Sequence, residues 1–177
     1  MIDEIDNKGP VNYEDWIKLG KIIIPCLKGR PIVPKWSDPT FKITKEQWRD
    51  RHKHCEIALR LDNVIDFDID NEYAKRFIKK YVKSCDAISG RPTNPGSHYW
   101  WDGKLAPRKF ILPNEFKKYY EKFPHGCTLC EIRNTNSQYT IVPESKHSKA
   151  NENVRWEKYI GFNEYPGDLN TDLRKVA

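Results

Sequence analysis

The sequence predicts an α+β domain, and three observations predict it. Val64-Ile65-Asp66-Phe67-Asp68-Ile69-Asp70 alternates strictly, so on a strand Ile65, Phe67 and Ile69 share one face while Asp66, Asp68 and Asp70 share the other. The stretch that follows places Tyr73, Ala74, Phe77, Ile78, Tyr81, Val82 and Cys85 at alternating intervals of one and three, the apolar face of a helix that packs on a sheet. Further short β-type runs, bounded by Gly, Pro, Asn and Asp, occur on both sides of this pair.

The chain has 177 residues, a length for one compact unit with a sizeable core. Hydrophobic residues make up 38% and charged residues 32%, a globular balance. Ile22-Ile23-Ile24-Pro25-Cys26-Leu27 is the longest apolar cluster and is too short to span a bilayer. The first twenty residues carry Asp3, Glu4, Asp6, Glu14 and Asp15 and no apolar leader, so the expected location is the cytoplasm. Five cysteines, with only Cys127 and Cys130 closely spaced, do not make a disulfide framework and fit a reducing compartment. A net charge of +6 tilts the chain toward an anionic partner.

Taken in order, residues 1–11 are a polar lead-in. A first helix is predicted over 13–19, capped by Asn12 and stopped by Gly20, followed by a buried strand over 21–26. Residues 27–36 form a Gly/Pro-punctuated loop carrying Lys28, Arg30 and Lys35, which suits an ordinary turn as well as a phosphate contact. Thr44-Lys45-Glu46-Gln47 has the capping-box pattern that opens a helix through Trp48. His52 and His54 flank Lys53 in a helical context and are expected in solvent rather than on a metal. Residues 56–61 read as a strand leading through a turn at Asp62-Asn63 into the acidic strand. Residues 89–96 are rich in breakers and read as a loop, from which Ser97-His98-Tyr99-Trp100-Trp101 emerges as an aromatic strand. A short helix is predicted over 113–120, then a strand over 128–133, a loop at 134–137 and a hairpin partner over 139–142. Beyond residue 150 the chain is polar, with Trp156, Tyr159 and Phe162 but no clear core pattern near its end.

The chemistry-bearing residues lie on the predicted strands and the loops that feed them. Carboxylates two apart on a strand are roughly 7 Å apart at Cα, close enough to bend toward shared cations, and their hard oxygens favour Mg²⁺ or Mn²⁺ over zinc. By itself the pattern also describes an edge strand guarded by charge. A glycine loop that delivers Ser97 and His98 to a strand start can hold phosphate oxygens. Glu131 supplies a third carboxylate, and Pro143-Glu144-Ser145-Lys146-His147 adds a hydroxyl, a cation and an imidazole. His125, Cys127 and Cys130 resemble part of a zinc site but lack a local fourth ligand, which would have to come from Cys85 or Cys55; buried free thiols are the expectation.

In series, these pieces resemble the primase-polymerase (prim-pol) catalytic domain of the archaeo-eukaryotic primase (AEP) superfamily, of the bifunctional DNA primase/polymerase type found in plasmids and phages. The resemblance covers roughly residues 16–159. It rests on Trp16…Gly20…Ile24-Pro25-Cys26…Gly29-Arg30-Pro31…Trp36, on Ile57-Ala58-Leu59-Arg60, on the acid-x-acid Asp66-Phe67-Asp68, on Gly96-Ser97-His98, and on Glu131-Ile132-Arg133 followed by Pro143-Glu144-Ser145-Lys146-His147. It implies an RRM-like sheet packed with helices (about 59–160), an N-terminal α/β part (about 12–58) and a tail (161–177), all in one catalytic domain. It implies two divalent ions, Mg²⁺ or Mn²⁺, held by Asp66, Asp68 and Glu131, with His98 on the incoming nucleotide's phosphates and Asp70 behind the ligands. Ser97, Arg91, Arg133, Ser145, Lys146 and His147 are the further residues expected on nucleotide or template. The partners so implied are a single-stranded DNA template, a primer strand and dNTP or NTP. A helical module and a helicase would continue a longer replication protein of a mobile element such as a phage or plasmid. The third acid is Glu where related domains often have Asp, which changes its reach by a methylene. A two-metal nuclease would use the same acids without a triphosphate pocket, and a non-catalytic nucleic-acid-binding module would need no converging acids.

Overall fold

A computed structural model of the chain describes residues 8–69, 71–81, 85–111 and 128–165. The helix predicted over 113–120, Asp70, and the zinc candidates His125 and Cys127 lie outside the described residues.

Local signals place the first elements. Helix α1 (Tyr13–Lys18) is capped by Asn12, whose Oδ1 accepts from the Asp15 N–H at 3.1 Å, and Gly20 ends it at φ +68°. Strand β1 (Ile23–Leu27) turns back at Lys28-Gly29, both at positive φ, into the two-residue β2 (Arg30–Pro31), so the predicted loop is a tight hairpin. Helix α2 (Lys45–Gln47) opens with the predicted capping box and runs into a π-helical turn over Trp48–His52. His54 is exposed as expected, whereas His52 is half-buried beside the Trp48 ring, 6.1 Å between centroids.

Strands β3 (Glu56–Arg60) and β4 (Val64–Ile69) follow, then α3 (Glu72–Tyr81), β5 (Ala87–Arg91), β6 (Asn94–Asp102), β7 (Arg108–Ile111), β8 (Thr128–Arg133), β9 (Tyr139–Ile141), β10 (Lys146–His147), β11 (Glu152–Asn153) and β12 (Arg155–Tyr159). They form a small sheet, β2-β1-β3-β9, a large one, β12-β5-β6-β4-β8-β7, and the pair β10-β11, with antiparallel neighbours throughout. The fold is therefore α+β, dominated by antiparallel sheet. No helix among the described residues is long and apolar enough to cross a membrane.

The large sheet has a core on each face. Ile65, Phe67 and Ile69 lie on the α3 side with Ala74, Ile78, Tyr99, Trp101, Cys130 and Ile132, as the alternation predicts. On the opposite side Val64, Ala87 and Trp100 pack with Trp16, Leu59, Leu61 and Val142, which joins the two sheets at one end. The anionic face of β4 thus looks toward the small sheet.

One expected strand pairing is corrected. Strands β8 and β9 are not a hairpin: β8 pairs with β4 in the large sheet, while β9 crosses to β3 in the small one. Asn134 fastens that crossing beside the β3-to-β4 crossing, donating from Nδ2 to the carbonyls of Leu61 (3.0 Å) and Val64 (2.8 Å). Strand β3 spans Glu56–Arg60, and β9 pairs with it in the small sheet. Residues 155–159 form an edge strand, β12 on β5, with Trp156 4.7 Å from the Tyr159 ring and 6.0 Å from that of Trp16, while the end of the chain from 166 on lies outside the described residues.

The supposed loop at 89–96 is likewise two strands turning at Pro92-Thr93, with Arg91 opposite Asn94. Gly90 makes this possible, because a Cβ there would stand 2.6 Å from the Gly96 nitrogen and 2.7 Å from the Asn94 carbonyl oxygen. Gly90→Ala is expected to destabilise the protein by about 1–3 kcal/mol in urea unfolding, since backbone rather than a flexible side chain must move. Unchanged stability would show that the hairpin yields freely.

Candidate active site

Register assembles the site. β4 lies between β6 and β8, with Asp68 directly opposite His98 on one side and opposite Glu131 on the other, and with Asp66 opposite Trp100 and Arg133. Paired residues share a face, with Cβ atoms about 4.5–5.5 Å apart, so Asp66, Asp68, His98, Glu131 and Arg133 form one patch from three strands.

Within the patch the two aspartates differ. Asp66 is fully buried: its Oδ1 lies 3.0 Å from His98 Nδ1, and its Oδ2 accepts from Thr140 Oγ1 at 2.5 Å and lies 3.7 Å from Arg133 Nε. Burial alone would push this carboxyl up, but the His98 and Arg133 charges and the His98 and Thr140 hydrogen bonds outweigh it and hold the group below the ordinary Asp value. Asp66 is thus an ionised acceptor, and the ring nitrogen facing it, His98 Nδ1, carries the proton. That leaves Nε2 for other partners. Asp68 and Glu131 keep side-chain exposures of 19% and 20%, enough to reach a ligand. Arg133 Nη2 pairs with Asp68 Oδ2, Arg133 Nη1 donates to Thr140 Oγ1 at 3.1 Å, and Lys109 Nζ stands 3.7 Å from Glu131 Oε2.

A cleft of about 710 Å³ opens between the sheets over this patch. Of the predicted residues, Asp68, Arg91, Ser97, His98, Arg133 and His147 line it. The Ser97 hydroxyl is buried with no hydrogen-bond partner among the described residues. Burial and the nearby Arg91 charge lower the His147 pKa, which keeps its imidazole neutral near pH 7.

Glu131, Ser145 and Lys146 are not in this wall, Glu131 lying beyond Asp68 on β8. Ser145 is turned inward and its Oγ accepts from the Ile57 N–H at 2.7 Å, bracing β3, while Lys146 is exposed on β10 opposite Asn153. Asp66 belongs to the patch but lies beneath the cleft surface, with both oxygens engaged. Sequence reasoning missed Asn94, Thr140 and Lys149, all of which line the cleft. Thr140 had a signal, a polar residue between Tyr139 and Ile141 on a strand, the same alternation that marks Asp66. Lys149 lies in a loop without periodicity.

As to metals, among the described residues no three His, Cys, Asp or Glu side chains form a ready ligand cluster. The donor chemistry nonetheless fits a hard divalent ion at Asp68 and Glu131, because Mg²⁺ is commonly held by one or two carboxylates plus substrate phosphates rather than by an all-protein cage. The thiols are of another kind: Cys26, Cys85 and Cys130 are buried, and burial pushes Cys26 up to about 12 and Cys85 up to about 11. Compared with protein-family models, with curated proteins and with solved structures, the chain matches none.

Proposed function

We propose that this domain is a template-directed nucleotidyltransferase of the prim-pol kind, a DNA polymerase or primase that joins a 3′-hydroxyl to an incoming nucleoside triphosphate. The observation that carries the reading is the register of β4, which sets His98 and Glu131, distant in sequence, on either side of Asp68. The strand order adds support: β4-α3-β5-β6 and β8 stand as β5-β6-β4-β8, the order of a split βαβ sheet of the RRM type.

In this reading Asp68 and Glu131 would hold Mg²⁺ or Mn²⁺, which would supply positive charge for the attacking 3′-hydroxyl and the leaving pyrophosphate. The chain's own groups do the rest. Asp66 fixes the His98 tautomer so that Nε2 can meet the nucleotide, and Arg91 and Lys149 supply positive charge on the cleft wall. Asn94 and the unpartnered Ser97 hydroxyl offer neutral hydrogen bonds beside them.

The test is incubation with a primed and an unprimed single-stranded template, Mg²⁺ or Mn²⁺, and either nucleotide set. Extension or new chains are expected. Shortening of the primer instead would identify a nuclease, and DNA binding with neither reaction would leave a non-catalytic module.

A further inference from the structure

We propose that Arg133 occupies the divalent ion's place at Asp68 and is exchanged for it, so that ion binding frees the guanidinium for a substrate phosphate. The inference rests on the metal-dependent reading above and concerns how that site is loaded.

Arg133 stands opposite Asp66 on β8, one residue-pair from Asp68 on the same face. Its Nη2 takes Asp68 Oδ2, its Nη1 bonds Thr140 Oγ1 at 3.1 Å and the Tyr139 carbonyl at 3.4 Å, and its Nε is buried with no hydrogen-bond acceptor among the described residues. A guanidinium has five N–H donors in a fixed fork, so this hold is incomplete and leaves donors for a different acceptor. Asp68 is also the acid between His98 and Glu131, where an ion would bind. A divalent ion and a guanidinium on one carboxylate repel each other, and the doubly charged one gains more from it. Because Arg133 already lines the cleft, its displaced end moves into space that substrate phosphates would fill, and arginine matches phosphate with two parallel hydrogen bonds.

Linkage then requires that ion and nucleotide bind cooperatively. The ion alone must displace Arg133 with nothing to receive it; with nucleotide present, the released arginine gains a partner.

The experiment is Mn²⁺ titration followed by the electron paramagnetic resonance of the free ion, on the 177-residue chain and its Arg133→Gln, Arg133→Lys and Asp68→Asn variants, with and without a non-hydrolysable nucleoside triphosphate. Thermal melting monitors folding. Wild type is expected to bind Mn²⁺ weakly alone and about tenfold more tightly with nucleotide. Arg133→Gln is expected to bind Mn²⁺ alone about tenfold more tightly than wild type and to gain little further from nucleotide. Arg133→Lys, which keeps the charge but not the fork, should fall between them and decides the matter if the Gln variant does not fold. Asp68-dependent Mn²⁺ binding that is no tighter in the folded Arg133 variants overturns the exchange while leaving the metal site standing. Equal Mn²⁺ binding by Asp68→Asn and wild type overturns both.

Discussion

Asp68→Asn is expected to lower nucleotide incorporation at least about a hundredfold, because loss of even an outer partner of a metal ligand commonly costs 10–100-fold and Asp68 is placed to be a ligand itself. The substitution keeps the side chain's shape and one oxygen for Arg133 while removing the charge an ion needs. It sits at the one position of β4 that has His98 on one side and Glu131 on the other, and it remains partly open to the cleft. Stability should change by no more than about 2 kcal/mol, since a partly exposed charge pair is weakened and no cavity is made. Single-turnover primer extension and urea unfolding on the same preparation separate the two effects. Wild-type incorporation by the variant would remove Asp68 from the chemistry and the two-carboxylate site with it.

Features encoded within a few residues of one another were legible in the sequence. The Thr44 to Gln47 capping box, the Asn12 cap, the Gly20 stop and the alternation of β4 are all in place. Period two assigns faces, however, and says nothing about which strand lies alongside or what covers a face. The partner of β9 was therefore misread, since Tyr139-Thr140-Ile141 alternates identically whether it pairs with β8 or with β3. The same limit hid the contrast between Asp66 and Asp68. Both point the same way, but β9 of the small sheet reaches Asp66 through Thr140, while Asp68 stays at the cleft. The Ser145 hydroxyl reads in the sequence as a ligand contact, and only the fold reveals that the Ile57 N–H claims it. The 89–96 breakers were misjudged for a different reason: glycines that usually end a strand here permit the close approach of two.

Asp66→Ala should be the variant that most damages the fold. Its carboxylate is fully buried among His98, Thr140 and Arg133, so truncation leaves the partly buried arginine and imidazole without their shared counter-charge. Breaking a buried pair from one side costs about 3–5 kcal/mol, and at about 2–4 °C per kcal/mol for a chain of this size the melting temperature should fall by roughly 10 °C. Asp66→Asn keeps an oxygen for Thr140 and should cost less. The pH dependence carries the sign of the shift. Because the folded pKa lies below the unfolded one, the stability Asp66 contributes is fully present above about pH 4 and is lost as pH falls through the folded value. The stability gap between wild type and Asp66→Asn, measured by urea unfolding from pH 7 to pH 3, should therefore narrow on the acid side. Asp66→Asn should also keep Mn²⁺ binding while slowing incorporation, since Asp66 acts through His98 and Arg133, whereas Asp68→Asn should lose both. If Asp66→Ala melts with wild type, the buried network contributes nothing to the fold, and Asp66 returns to the ligand set from which its burial removed it.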